Sequence, residues 1–212
     1  MIHADARDIL ASLPDQCVDC IVTDPPYRVI SGGNAAVGRP TGILAANDGR
    51  IFERNDIRFD EYAPDLFRVL RDPGHIYMMS NLLNLFDMRD ALIDAGFKLH
   101  NLLVWKKPNV TPNRWYMSNR EFTLFARRGR AFTINNPGSA AVHEFPNPSG
   151  NRAHPTQKPV DLMRFYIENS TQPGDLVLDP FAGSGSTGEA CRLTGRRFIG
   201  VEIDDKYSNI SV

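Results

Sequence analysis

Residues 178–187 read Leu178-Asp179-Pro180-Phe181-Ala182-Gly183-Ser184-Gly185-Ser186-Thr187. An apolar strand runs here into a glycine-rich turn and then into the start of a helix. Glycine lets a backbone approach a ligand closely, and the N-terminus of a helix favours negative charge. Glu202 follows Gly183 by 19 residues, at the end of the next apolar run, where a carboxylate can accept hydrogen bonds from both hydroxyls of a ribose. The stretch predicts an α/β fold that binds a nucleoside-bearing cofactor.

The same turn also fits the pattern G-x-G-x-x-G of dinucleotide-binding folds, from Gly183 to Gly188. Only 24 residues follow Gly188, whereas a dinucleotide fold needs a second mononucleotide half after the first. The turn also opens with Pro180-Phe181, which offers an aromatic face to a nucleoside. We therefore favour an adenosine-bearing cofactor over a nicotinamide dinucleotide.

Apolar runs bounded by turn residues alternate along the chain with segments of helical period. The predicted strands are Cys20–Thr23, His75–Met79, Phe97–Trp105, Glu121–Ala126, Leu176–Asp179 and Phe198–Ile203. The predicted helices are Tyr62–Arg71, Leu85–Ala95, Val160–Ser170 and Thr187–Leu193. This alternation indicates a mostly parallel sheet with helices on both faces. Two stretches interrupt it, residues 28–60 and 129–153, and we expect both to be irregular and close to the functional site.

Composition bounds the class of protein. The chain has 212 residues, 42% of them hydrophobic and 23% charged, which suits a single globular domain over residues 1–212. It has no run of 18 apolar residues and no basic segment followed by an apolar one, so we expect no membrane span, no secretion signal and a cytoplasmic location. Cys17 and Cys20 have C-x-x-C spacing, but only Cys191 remains as a further ligand. We expect neither a metal site nor a redox site there.

Positive charge is concentrated in one part of a chain whose net charge is −1. Between positions 98 and 130 a single acid, Glu121, accompanies eight basic residues, Lys98, Lys106, Lys107, Arg114, Arg120, Arg127, Arg128 and Arg130. Taken alone, this +7 stretch is most simply a solvated charged surface. A contact with phosphate groups becomes the better interpretation only if other residues point to a nucleic acid.

Such residues follow the apolar run Cys20-Ile21-Val22, in the sequence Thr23-Asp24-Pro25-Pro26-Tyr27. Parallel sheets bind their substrates at the carboxyl ends of strands. The prolines fix the backbone, so the Pro25 carbonyl and the Asp24 carboxylate offer two acceptors for the two hydrogens of an amino group. Tyr27 adds a flat face for stacking on a planar base. A proline turn at a strand end is the simpler alternative, and we would favour it without the glycine turn elsewhere in the chain.

Three motifs together give a specific resemblance. Asp24-Pro25-Pro26-Tyr27, His154-Pro155-Thr156-Gln157-Lys158-Pro159 and Asp179-Pro180-Phe181-Ala182-Gly183-Ser184-Gly185 resemble the motifs of amino-group DNA methyltransferases. The catalytic motif precedes the glycine turn, which is similar to the circularly permuted β-class of these enzymes. The resemblance implies the Rossmann-like fold of S-adenosylmethionine-dependent methyltransferases, with a mostly parallel, twisted sheet that contains one antiparallel strand.

The resemblance also implies roles for individual residues. Asp24, Pro25, Pro26 and Tyr27 would be catalytic. S-adenosyl-L-methionine would be bound by Asp5, Ala6, Lys158, Asp179, Phe181, Gly183, Gly185, Ser186 and Glu202. Glu202 would hold the ribose, and Lys158 would meet the cofactor carboxylate. Asp5 would contact the cofactor adenine, with the cap of a helix over Ala6–Leu13 as its equal alternative. No metal is called for.

The implied reaction is methyl transfer to the exocyclic amino group of adenine in double-stranded DNA, with the target base flipped out of the duplex. Asp at position 24 favours adenine, and the N4 of cytosine is the alternative. More remote alternatives are an RNA or protein amide methyltransferase and a catalytically silent DNA-binding module. DNA contacts are then expected from Lys106, Lys107, Arg114, Arg127 and Arg128.

The expected target-recognition segment, about residues 129–153, is short. One copy would cover little DNA, so we expect a homodimer, associated with the nucleoid. A restriction endonuclease partner is left open by the sequence.

Overall fold

The computed structural model describes residues 1–26, 57–111, 116–148 and 157–208. The strands are β1 (Ile2–His3), β2 (Val18–Thr23), β3 (Leu70–Ser80), β4 (Lys98–Thr111), β5 (Ser118–Arg128), β6 (Val142–Glu144), β7 (Leu176–Asp179) and β8 (Arg197–Glu202). The α-helices are α1 (Ala6–Ser12), α2 (Ala63–Val69), α3 (Leu85–Asp94), α4 (Val160–Ser170), α5 (Ser186–Thr194) and α6 (Asp205–Ser208). A 3-10 turn, Phe59–Glu61, precedes α2.

The strands form one sheet in the order β1-β8-β7-β2-β3-β5-β4-β6. Every strand except β5 runs in the same direction, because β5 is antiparallel to both of its neighbours while the other pairs are parallel. The expectation of a mostly parallel sheet with one antiparallel strand is confirmed.

The order of the strands reverses between β7 and β2. From β7 the chain passes through α5 to β8 on one side, and from β2 it passes through α2 to β3 on the other. β7 and β2 are themselves hydrogen-bonded neighbours, with Cys20 opposite Val177 and Ile21 opposite Leu178. Open α/β sheets bind ligands in the crevice beyond the carboxyl ends of two such strands. The fold therefore brings two motifs that lie far apart in sequence to one crevice.

Two buried clusters cover the two faces of the sheet. Ile76 and Met78 of β3 pack with apolar residues of α1, α2 and α3, whereas Tyr77 and Met79 pack with α4 and α5. The alternation follows from the two-residue period of a strand. Buried helix positions such as Leu66, Met88 and Tyr166 close the two layers. The predicted arrangement of helices on both faces is confirmed.

Helix α2 is shorter than the periodicity predicted. The predicted helix Tyr62–Arg71 ends at Val69, and Leu70 and Arg71 belong to β3. Arg128, at the end of β5, donates hydrogen bonds to the carbonyls of Arg68 and Leu70, each at 2.8 Å. A donor from another strand thus satisfies the last carbonyls of the helix, which no local pattern could reveal.

We expected the stretch 129–153 to be irregular, but part of it forms a strand. Val142–Glu144 form β6, which pairs in parallel with β4. Asn135 donates through Nδ2 to the carbonyls of Glu168 and Thr171, at 2.7 and 2.8 Å. The described part of this segment is therefore tied to the sheet edge and to the end of α4.

None of the helices among the described residues is both long and apolar enough to cross a membrane. Burial raises the pKa of the Cys20 thiol well above its usual range, and it raises that of Cys17 less. Thiols in such surroundings are weakly reactive.

Candidate active site

The crevice lies at the carboxyl ends of β7 and β2. Asp179 is the last residue of β7, and Asp24 directly follows β2. Asp179 is buried, and three donors occupy its carboxylate. Thr23 and Thr187 donate their hydroxyls at 2.8 and 2.6 Å, and the Phe181 amide donates at 3.1 Å. These bonds join the end of β2, the glycine turn and the start of α5. Asp179 therefore fixes the glycine turn against β2 and α5.

Burial raises the pKa of Asp179 to about 6, although the three hydrogen bonds oppose this shift. The negative charge of Asp24 adds to the increase. Desolvation disfavours a buried carboxylate, and hydrogen bonds to its charged form recover only part of the cost. Ionisation of this carboxylate is therefore costly, and such pKa shifts are frequent at functional sites.

Glu202 shapes the other wall of the turn. Its carboxylate accepts hydrogen bonds from the amides of Gly183 and Asp204, both at 2.8 Å. Each carboxylate oxygen has a second lone pair, so Glu202 can hold the turn and still accept from a hydroxyl group. The structure brings Glu202 and Gly183 together as the sequence spacing predicts.

The turn leaves room for a ligand. A Cβ built at Gly183 would meet no atom within 4 Å, although φ there is +51°. Helix α5 begins at Ser186 behind Gly185, and no side chain caps its N-terminus among the described residues. The ring of Phe181 meets Tyr62 edge-on, with centroids 4.9 Å apart. These surroundings suit the nucleoside and methionine parts of S-adenosylmethionine. They combine open space, a positively polarised helix end, the aromatic ring of Phe181 and the carboxylate of Glu202.

Asp5 and Ala6 stand beside this wall. β1 pairs with β8, with His3 opposite Glu202, so the residues after β1 face the same crevice. Asp5 is the N-cap of α1, accepts from the Arg7 amide at 2.9 Å and forms an ion pair with the Arg7 guanidinium at 2.7 Å. The cap that we gave as the alternative role is therefore present, and a contact with the cofactor adenine stays a prediction. Ala6 is buried at the helix start.

Asp24 lies on the opposite side of the crevice, in a group of charged residues. Lys158 donates its ammonium to Asp24 and lies 3.4 Å from the Glu121 carboxylate, which also receives Lys107. Pro25 is buried and Pro26 is partly exposed. Lys158 thus contacts Asp24 in this structure, and its expected contact with the cofactor carboxylate stays a prediction. Its backbone carbonyl accepts from the Ser186 hydroxyl at 2.9 Å, which fixes this segment to the start of α5.

The structure divides the predicted DNA-contacting residues. Lys106 and Lys107 lie where β4 passes the crevice, because Lys106 pairs with Arg120 next to Glu121. Arg128 pairs with Gly74 at the other end of β5, about 23 Å from Glu121 at the usual rise of a strand. Arg127 donates to the Gly129 carbonyl, and Arg128 caps α2. The structure therefore does not place Arg127 and Arg128 on one DNA-contacting face with Asp24.

Some predicted residues lie outside the described ones, namely Tyr27, Arg114, His154 and most of residues 28–60.

Other residues of the site were not predicted from the sequence. Thr23 and Thr187 stand inside the quoted motifs, and their hydroxyls next to a buried acid were the available signal. Glu121 is the only acid in the +7 stretch, which sets it apart from a solvated surface. Nothing in the sequence pointed to Tyr62, which packs on Phe181 from α2's N-terminus.

A separate cavity of about 370 Å³ lies against β3, β4 and β5 near the segment 131–143. His75, Tyr77, Phe132 and His143 line it, and burial lowers the pKa of His75 to about 4. Of the predicted site residues only Arg127 reaches it. The catalytic crevice is therefore a different place.

Comparisons with known proteins agree with the geometry. A family model described as DNA methylase (N6_N4_Mtase) matches residues 128–212, which include Lys158 and the glycine turn. The type II methyltransferase M2.DpnII of Streptococcus pneumoniae is 29% identical over 239 residues, covering all of this chain and 87% of that protein. M2.LlaDCHI of Lactococcus lactis subsp. cremoris is also 29% identical, over 235 residues, with the same coverage.

A solved structure is similar over most of its length. The crystal structure of the M1.HpyAVI–SAM complex has a TM-score of 0.72 and 29% identity, and the match covers 97% of this chain and 94% of that one. The fold is thus that of S-adenosylmethionine-dependent methyltransferases. With the family model and the two motifs joined at one crevice, the chain is an amino-group DNA methyltransferase, and its cofactor is S-adenosyl-L-methionine.

Proposed function

We propose that this enzyme methylates the exocyclic N6 of adenine in double-stranded DNA, after the base has been flipped into the crevice beside Asp24. The observation that carries the proposal is the adjacency of β2 and β7, which sets Asp24 next to the cofactor turn. In this proposal, an acid that can accept from an amino group faces the end of the site that would hold the methyl donor. The relatives M2.DpnII and M2.LlaDCHI, both type II methyltransferases, support a DNA substrate.

The amino nitrogen of adenine is a poor nucleophile because its lone pair is delocalised into the ring. Hydrogen bonds from this group to Asp24 and to the Pro25 carbonyl favour a more tetrahedral nitrogen whose lone pair is available. The bound cofactor supplies an activated methyl group. The protein therefore contributes orientation and acceptors for the positive charge that develops on nitrogen. Tyr27 is proposed to stack on the flipped base, which offsets part of the cost of unstacking.

The cofactor side of the site is proposed to work through a fixed turn. Asp179 locks the turn to β2 and α5, and Glu202 holds the Gly183 amide while offering an acceptor to the ribose. Phe181 gives the nucleoside an apolar wall. Asp5, Ala6, Gly185 and Ser186 complete the proposed set. These contacts position the donor and take no part in bond making.

We propose that DNA is held by Lys106 and Lys107, at the crevice side of β4, and by Arg114. Phosphate contacts from such side chains position a duplex without reading its sequence. A single domain with a short recognition segment covers little of a duplex, so a homodimer is proposed as the acting form. Sedimentation with and without DNA tests that state.

The test of the function is single-turnover transfer of labelled methyl groups to DNA, followed by digestion to identify the modified base. Wild-type protein should yield N6-methyladenine. Asp24→Ala should slow transfer by at least about a hundredfold, as loss of one preorganised polar group does, with cofactor affinity little changed. Asp87→Ala, at an exposed position on α3, is the control.

Two outcomes would correct the proposal in different ways. Methylcytosine as the product would leave the mechanism in place and replace the choice of adenine. A folded Asp24→Ala variant that transfers methyl groups at the wild-type rate would remove Asp24 from the mechanism.

A further inference from the structure

Four charged side chains meet at the base side of the crevice: Asp24, Lys107, Glu121 and Lys158. Lys158 contacts Asp24, and its Nζ is 3.4 Å from Oε2 of Glu121. Lys107 contacts the other oxygen of Glu121, and its ammonium lies 4.7 Å from the centre of the Trp105 ring. The two cations and two carboxylates balance. Lys158 is 8% exposed, so its ammonium has little contact with water.

This arrangement conflicts with the proposed reaction in one respect. Asp24 has to accept a hydrogen bond from the target amino group, yet the ammonium of Lys158 is already bound to it. During methyl transfer the target nitrogen becomes positive. An ammonium on Oδ2 of the same carboxylate would then repel the developing charge. Lys158 therefore has to give up Asp24, or its charge has to be compensated at short range.

Glu121 is the group that can receive it. Its side chain is only 21% exposed, and strand β5 fixes its position opposite Trp105. Burial by itself raises the pKa of Glu121, but Lys158 and Lys107 more than offset this effect and bring the pKa below its ordinary value. Glu121 is thus ionised at neutral pH. A shift of the ammonium along the existing 3.4 Å contact exchanges one carboxylate partner for another without leaving the charge unpaired.

We propose that Glu121 is a positioning residue that takes the Lys158 ammonium from Asp24 when the target amino group enters the crevice. The inference rests on the proposed function, since it assigns a role to residues of that same site. Glu121 touches neither substrate nor cofactor and acts through Lys158. Lys107 keeps Glu121 ionised and aligned in both arrangements.

The first test is a double-mutant cycle on the single-turnover rate, with cofactor affinity measured in parallel. Glu121→Gln should lower the rate by about tenfold, the scale of one charge-assisted hydrogen bond, while S-adenosylmethionine affinity stays within about twofold. In the Lys158→Met background the same change should alter the rate less than about twofold, since no ammonium needs a second partner. Glu168→Gln, which removes the partner of Arg164 on the surface of α4, is the control for loss of an acid.

An equal loss from Glu121→Gln in both backgrounds would overturn the inference, because Glu121 would then act without Lys158. If Glu121→Gln alone does not fold, the comparison of Lys158→Met with the double variant still decides the issue. In that case a rate more than about twofold lower in the double variant than in Lys158→Met refutes the role.

The second test follows the ammonium itself by NMR of the ¹⁵N-labelled lysine side chains, with the Lys158 signal assigned by its loss in Lys158→Met. Adding target DNA and the demethylated cofactor should move this signal in the wild type and leave it in place in Glu121→Gln. Methyl transfer to DNA without such a movement would refute this inference and leave the proposed function standing. A movement of the signal without any transfer to an amino group would refute the proposed function and leave the exchange of partners standing.

Discussion

Replacing Asp179 by Asn should make the unfolding free energy less dependent on pH. Burial raises the pKa of Asp179 to about 6 in the folded protein, from an ordinary value near 3.8. Because the folded pKa is the higher one, the stability that this group contributes is complete below about pH 3.8 and is lost as pH rises through 6. The asparagine has no proton to lose over this range and keeps the shape of the side chain.

The magnitude follows from the shift. A difference of about two pKa units corresponds to about 3 kcal/mol over the whole titration, of which about 2 kcal/mol falls between pH 4.5 and 7. The hydroxyls of Thr23 and Thr187 can each donate or accept, so they can bond to an amide as well as to a carboxylate. The stability of Asp179→Asn relative to the wild type should therefore increase by about 2 kcal/mol between these two pH values.

The assay is urea unfolding of the ligand-free protein at pH 4.5, 5.5, 6.2 and 7, with both proteins in the same buffers. Asp94→Asn, the same change at an exposed position on α3, should differ from the wild type by less than about 0.5 kcal/mol at every pH. A constant difference between Asp179→Asn and the wild type over this range would refute the argument that burial of Asp179 dominates its ionisation.

Three further predictions concern other parts of the molecule. Arg128→Met should lower the unfolding free energy by about 2–3 kcal/mol in urea unfolding, because the end of α2 loses its donor, and it should leave DNA affinity unchanged. Lys106→Gln should flatten the slope of log DNA affinity against log salt by about 0.9, whereas Arg127→Gln should not; equal slopes in both variants would contradict the division of the basic residues. Gly183→Ala should cost about 1 kcal/mol of stability from its positive φ, as Gly174→Ala should, but calorimetry should show at least about tenfold weaker cofactor binding only at position 183.

The local pattern determined much of the fold. The predicted bounds of α4 and β7 coincide with those observed, because each has clear apolar periodicity and clear flanking turns. The order of strands and helices also indicated a mostly parallel sheet. Helix α2 and strand β6 departed from the prediction, since α2 ends where Arg128 supplies a cap and β6 exists because β4 offers an edge. Contacts from remote parts of the chain decided both.

The chemistry of the site was determined by the sequence to the extent that it lies within single motifs. Asp24, Asp179, Gly183 and Glu202 all lie at the crevice, because strand ends and a glycine turn have a fixed local geometry. Which side chains pair across the crevice was decided only by the tertiary structure. Lys158 contacts Asp24, and Glu121 lies next to Lys158, because the end of β2, the start of β5 and the segment before α4 meet at the same end of the sheet. Distances between charges in different strands depend on sheet order and register, and a linear pattern of residues contains neither.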